Sequence, residues 1–362
     1  MSTDSVRTAF HAPQEALGCE FMDWEGWQWP NHFGDPVAEH RAVREGVGIW
    51  DESPLRKWDF RGPDALRAAD RIFTNDMLGL EAGQIRDAPF CDADGKMVGD
   101  GTVFKFDDAH AWVITALDAD LDHFRDVVSG LDVAIEPFTA ELPHVQLQGP
   151  GSRQLLAGLC EEAAALRYFR FIPEQVRVGG VPAWVSRTGY SGELGYEIFC
   201  SPDDAPALWD ALTSAGATPY GLAAVETLRI ESGLIFIGYD YFQHATDPFD
   251  VSLDKVVRLD GGDFHGKEAL TRTAQAPPRR MVTLALDGTD VPEYGAAVTV
   301  GGEASGTLTS PCASPTLGTV IGLAVVDARF AARGTRVEVD GGGAATVDSL
   351  PLYDPEKRRP RA

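Results

Sequence analysis

The segment Ala274–Arg280, AQAPPRR, constrains this chain more than any other stretch. Pro277 and Pro278 lack backbone N–H groups and fix φ near about −65°, so neither a helix nor a central strand continues through them. The segment therefore reads as a linker, and each side of it must build its own core. Beyond it the pattern turns to short β runs at Met281–Leu286, Ala297–Val300, Thr319–Val326 and Thr335–Val339. Glycine turns separate them, among them Gly301-Gly302 and Gly341-Gly342-Gly343. Short strands at close spacing predict a small β-barrel or sandwich over residues 279–356.

Residues 1–273 are mixed. Helical patterns fall at Val37–Glu45, Pro63–Phe73, Leu121–Leu131, Arg153–Cys160, Asp204–Ala215 and Leu222–Ser232. Strand patterns fall at Lys57–Phe60, Thr102–Phe106, Ala111–Thr115, Val145–Leu147, Ala183–Ser186 and Tyr196–Phe199. The two kinds interleave without a strict βαβ rhythm, which predicts an α+β class with antiparallel sheets in two subdomains.

The chain has 55 acidic against 31 basic residues, a net charge of −24 over 362 residues. Such a surface repels phosphate backbones and anionic lipid, so neither nucleic acid nor membrane is expected as a partner. The five cysteines are dispersed, with no C-x-x-C pair, which fits a reducing compartment and no thiolate metal site. The polar start Met1–Phe10 does not read as a signal peptide, and a cytoplasmic location is expected.

Generic motifs fail. Gly95–Gly101 lacks the Gly-Lys-Ser/Thr ending of a phosphate loop, and no G-x-G-x-x-G follows a strand. Gly189-Tyr190-Ser191-Gly192 is not a nucleophile elbow. The histidines have no metal-ligand spacing, and no metal is expected.

Several segments, in order along the chain, do carry a signal. Phe21–Asp51 places Asp23, Gly26, Trp27, Pro30, His32, Gly34, Glu39, His40, Val43, Arg44 and Asp51 in one run. Arg187–Ile198 reads RTGYSGELGYEI, and Ser310–Gly322 reads SPCASPTLGTVIG. Together with Leu222–Gly233 and Phe264–Leu270, they resemble the glycine-cleavage T protein (aminomethyltransferase) family and its folate-dependent demethylase relatives. That resemblance implies a ring of small α+β folate-binding domains plus a C-terminal β-barrel. It also implies a transferase of one-carbon metabolism, moving an aminomethyl or methyl group from a small donor to tetrahydrofolate.

The chemistry needs few groups. A carboxylate can accept two hydrogen bonds from the flat donor edge of a pterin. A second carboxylate favours positive charge on the reacting nitrogen or manages its proton. An arginine suits the anionic glutamate tail. By the resemblance, Asp100 in GKMVGDGT is the catalytic carboxylate, Glu197 reads the pterin, and Tyr190 and Arg229 complete the folate site. Trp24 and Trp29 invite an aromatic cage for a methylated cationic donor. His32 and His40 read as supporting residues.

The chain departs from the family at donor-side positions. Glu52-Ser53-Pro54-Leu55 follows Asp51 where the family has a Val-Ser-His-Met-like run. Asp87 stands where the family has Tyr, and Gly238-Tyr239-Asp240 replaces Gly-Gln-Glu. Asp87 and Asp240 are therefore expected to face a cationic donor. Two readings remain beside the transferase: a non-catalytic folate-binding assembly or maintenance factor on the same fold, and a folate-independent enzyme. A lipoyl carrier protein is a candidate partner of the first reading.

Overall fold

Two antiparallel sheets stacked face to face form the body, and a closed barrel caps one side. The computed structural model describes residues 5–362; Met1–Asp4 of the polar N-terminus lie outside the described residues. The first sheet runs Ile85–Cys91, Met97–Asp107, His110–Thr115, Arg56–Arg61, Ala134–Pro137 in spatial order. The second runs Val176–Val178, Val181–Ser186, Gly195–Phe199, His144–Gln148, Gly48–Asp51, Thr218–Pro219, with only the last pair parallel.

Each sheet buries its outer face under helices. Ala65–Ile72 and Asp120–Val127 cover the first through Leu66, Ala69, Ile72 and Phe124, packed on Phe60, Phe90 and Val113. Ala205–Ser214 and Ser152–Leu159 cover the second through Leu208, Trp209 and Leu156, packed on Val145, Tyr196 and Ile198. The period-two alternation of both sheets then turns the opposite residues toward each other. At one end that interior is apolar: Phe104 and Trp112 of the first sheet meet Phe199 of the second, with ring centroids 5.9 and 6.4 Å apart. Each further pair of residues along those strands moves into polar ground, from Phe104 to Thr102 to Asp100 and from Phe199 to Glu197.

Helix Pro36–Glu45 begins on an Asp35 side chain that accepts from the Val37 and Ala38 N–H groups, both at 3.0 Å. Such a cap stabilises a helix by about 1 kcal/mol, and Pro36 at the first position loses nothing. His40 and Arg44, one turn apart, both reach Glu231 on helix Leu222–Glu231, at 3.0 and 2.7 Å. Ser314 and Thr316 of the barrel domain donate to the same carboxylate. Glu231 thus joins two helices and the barrel.

The barrel closes in the order Arg279–Leu286, Thr319–Asp327, Glu303–Ser314, Ala297–Val300, Arg336–Val339, Gly343–Asp348. Arg279 and Arg280, read above as linker, belong to its first strand. The strands Glu303–Ser314 and Gly343–Asp348 were not legible, because their Gly, Ser, Pro and Ala content has little β preference of its own. Pairing with flanking strands forms them. Among the described residues no helix is long and apolar enough to cross a membrane.

Candidate functional site

Asp100 belongs to the strand Met97–Asp107, opposite Pro89, so it lies within a sheet. The glycines have a packing cause. A Cβ at Gly99 would come within 2.5 Å of the Phe90 ring, and one at Gly101 within 2.4 Å of the Ile114 carbonyl. They press against the covered face, and Asp100 between them points the other way, into the intersheet space. Asp87 pairs with Thr102, which puts it diagonally across from Asp100 on that same face.

Both carboxyls are only half-buried, yet protein surrounds them and raises their pKa. Burial and then the Asp100 charge push Asp87 up to about 7, with Lys357 pulling the other way. Burial also raises Asp100, opposed by a hydrogen bond from the Tyr241 hydroxyl. Tyr241 is wholly buried. A third carboxyl, Asp120, is buried nearby, pushed up to about 7 by desolvation, with Oδ1 unpartnered. Sequence reasoning missed Asp120 and Tyr241; neither stands in a motif.

Glu197 faces the same space from the second sheet. It lies between Ser186 and Gln146, its direct partners on the two neighbouring strands. Burial pushes it up to about 7, against hydrogen bonds from Thr188 and Ser186 and the charge of Lys57. Tyr190 closes this end of the row. Its N–H donates to Gln146 Oε1 at 3.1 Å and its hydroxyl to the Ile235 carbonyl. Lys57, on the first sheet, is fully buried and donates to the Ser53 and Leu55 carbonyls at 2.8 and 2.9 Å. Desolvation lowers it to about 7 despite Glu52 and Asp51 nearby.

Four sequence expectations meet different surroundings. Arg229 is completely buried and its donors are committed: Nη2 and Nε to Glu226 at 2.7 and 3.2 Å, Nη1 to Asp240 and the Leu234 carbonyl. The opposing carboxylates raise its pKa in spite of burial. It therefore holds the 226–240 region together and offers no free donor to an anionic tail. Asp240 is the other half of that pair. Its second oxygen accepts from Thr309 and Ser310 at 2.5 and 2.7 Å, so it does not face a cationic donor. A bulge between Leu308 and Ser310 turns those hydroxyls to it. Trp29 is core: 1% exposed, stacked on Trp50 at 4.9 Å, with its indole N–H bonded to the Asp51 carbonyl at 2.6 Å. Trp24 lies tilted on Trp29 and 5.7 Å from the Arg56 guanidinium, so the cation beside it is the protein's own. No cage for a donor forms from these rings.

An arginine cluster lies elsewhere, with part of its donor capacity taken: Arg170 pairs with Glu81 at 2.6 Å, and Arg153 and Arg187 both donate to the Ala362 carbonyl at 2.7 Å. A cavity of about 730 Å³ is lined by Arg153, Arg167, Arg170, Arg187 and Arg361, together with Tyr168. Arg187, from RTGYSGELGYEI, is 2% exposed and keeps its Nε without a partner. Gln84, next to the strand Ile85–Cys91 that carries Asp87, also lines this cavity. In a protein of net charge −24 this concentration of positive charge is local and specific.

Comparison with known proteins places the chain. The family model for the GCVT N-terminal domain matches residues 10–261, and that for the glycine cleavage T-protein C-terminal barrel domain matches residues 279–354. The aminomethyltransferase of Streptomyces avermitilis is 37% identical, covering 99% of this chain and 100% of that protein. The probable aminomethyltransferase of Halobacterium salinarum is 37% identical over 96% of this chain and 99% of that protein. The trimethylamine-oxide aldolase of Ruegeria pomeroyi is 38% identical over 98% of this chain but 48% of its own length. Glycine cleavage system aminomethyltransferase T from Bartonella henselae has the same fold, with a TM-score of 0.87 at 24% identity, covering 97% of this chain and 98% of that one.

The chain belongs to the glycine-cleavage T protein family. It is a tetrahydrofolate-dependent one-carbon transferase with tetrahydrofolate as acceptor, and no finding favours the non-catalytic reading.

Proposed function

We propose that tetrahydrofolate lies between the two sheets, its pterin edge on Glu197 and its reacting nitrogens at Asp100, with its anionic tail toward the arginine-lined cavity. The observation that carries this is the placement of Glu197 and Asp100 on facing sheet surfaces that open together from one apolar end. The residues fit the ligand. Glu197 receives only hydroxyls, from Ser186 at 3.4 Å and from Thr188, so its two oxygens keep capacity for N–H donors. Arg187 supplies a buried, unsatisfied donor to an anion.

Bound tetrahydrofolate supplies the nitrogens that accept the carbon. Asp100 favours the positive charge that develops beside it, in a site where burial magnifies that interaction. The Tyr241 hydroxyl keeps Asp100 aimed. Asp87, with its pKa near neutrality, holds or gives up a proton at its carboxyl and can serve a leaving amine. Most of the rate comes from orientation and preorganised charge.

Aminomethyl transfer is the better-supported branch, since aminomethyltransferases align with the chain end to end. Under this reading a lipoyl carrier protein delivers the donor. Asp87 favours a second reading, a small methylated amine, because a half-buried carboxylate suits a cation. Feeding the enzyme aminomethyl-lipoyl carrier protein or a di- or trimethylated amine, and measuring methylene- against methyl-tetrahydrofolate, separates the two. Turnover of the amine alone would overturn the first branch, and exclusive use of the carrier would end the second.

A further inference from the structure

Glu52 sits where the family resemblance breaks, one residue past the strand Gly48–Asp51, and its side chain is 7% exposed. Its Oε2 accepts from Gln146 Nε2 at 2.5 Å and lies 3.2 Å from His144 Nε2. The other end of the Gln146 amide accepts the Tyr190 N–H, and Gln146 stands directly opposite Glu197. Only one orientation of that amide satisfies both neighbours, and Glu52 selects it. His144 stacks on Phe199 at 4.6 Å with Nδ1 buried and unpartnered, as a neutral ring donating from Nε2 would be. We infer that Glu52 is a positioning residue for Glu197: it orients the Gln146 amide that anchors Tyr190, and its carboxyl competes with Glu197 for negative charge. The inference rests on the reading of Glu197 as the pterin carboxylate.

The electrostatics agree with the geometry. Desolvation and then Glu197 raise the Glu52 pKa, with the Gln146 hydrogen bond and Lys57 opposing. The groups facing the pair come from every side: Ser186 and Thr188, Gln146 and His144, Asp51, Lys57 from the opposite sheet, and Tyr220. Lys57 is the cation that opposes them, and desolvation weakens its own charge, so it does not neutralise two carboxylates. Two buried carboxyls so placed disfavour each other's ionisation, so each is held above the ordinary carboxylate range. Binding a ligand that needs Glu197 ionised leaves a proton on Glu52 or expels it.

Calorimetric titration of 5-formyl-tetrahydrofolate across a pH series, in buffers of differing ionisation enthalpy, tests this in wild type, Glu52→Gln and Glu197→Gln. In wild type, affinity should rise as pH rises through about 7, with proton release on binding below that point. Glu52→Gln keeps an acceptor for Gln146 and removes the competing charge, so its affinity midpoint should move down by about one pH unit. Near pH 6 it should then bind several-fold tighter than wild type. A midpoint and proton release unchanged in Glu52→Gln would overturn the inference. So would wild-type binding that is independent of pH, a result that needs no variant to fold. Undiminished binding by Glu197→Gln would instead mean that the pterin reading itself fails.

Discussion

Replacing Glu231 by Gln removes one charge from the centre of the molecule while leaving its shape. Glu231 is wholly buried and receives Arg44 through Nε and Nη2 at 2.9 and 2.7 Å, His40 at 3.0 Å, and the Ser314 and Thr316 hydroxyls. Burial alone would raise its pKa. The His40 hydrogen bond and the Arg44 charge outweigh that and hold it at about 2, against an ordinary 4.5. At about 1.4 kcal/mol per pH unit, that difference corresponds to about 3 kcal/mol of native-state stability. Breaking a buried ion pair by removing one partner costs about 3–5 kcal/mol. Arg44 keeps Glu193 at 3.1 Å and the Ser191 carbonyl at 2.8 Å, so the lower end of that range applies.

The sign is set by the depressed pKa. The stabilisation is fully present above about 4.5 and is lost as pH falls through about 2. Urea unfolding near neutral pH should show Glu231→Gln about 3 kcal/mol less stable than wild type. The gap should shrink steadily as the titration is repeated in acid. A gap under about 1 kcal/mol at neutral pH, or one of equal width at both pH extremes, would refute the view that Glu231 joins helix to barrel by charge.

Three further outcomes concern the site. Asp100→Asn should lower turnover by about 10²-fold or more while folate affinity changes little, measured as a split between kcat and Kd. For Asp87, a carboxyl pushed up to about 7 is protonated below that pH, so if it serves the leaving amine, activity falls as pH rises through about 7. Asp87→Asn should abolish that limb, and a persisting limb would assign it to another group. The double variant Arg167→Ala, Arg361→Ala should weaken polyglutamyl more than monoglutamyl folate, by about tenfold at low salt and less at high salt. Equal weakening of both would place the tail elsewhere.

Much of the candidate site was legible because its residues stand in local patterns. RTGYSGELGYEI holds Tyr190 and Glu197, and alternation puts Glu197 on the face opposite Tyr196 and Ile198, but only the packing of that strand shows that this face points into the intersheet space. GKMVGDGT marks Asp100, although flanking glycines look the same whether a chain turns or presses against a ring. The linker at Pro277-Pro278 and the change in pattern beyond it separate barrel from body in the sequence alone. Such features are local: proline geometry, strand period and helix capping act within a few residues of the amino acids that cause them.

What the tertiary structure decided is which charges are free. Arg229 and Asp240 each look available in the sequence, and Glu226, Thr309 and Ser310 satisfy them in the fold. Trp29 looks like half a cage and is instead stacked on Trp50. Conversely, Glu52, Lys57 and Gln146 form one buried constellation with Glu197, and the arginine cavity draws on residues 153 to 361. Burial and partnership depend on contacts between residues far apart in the chain, and those same contacts set desolvation and hence pKa. Residue types state what chemistry is possible here; packing between the two sheets and the barrel determines which groups carry it.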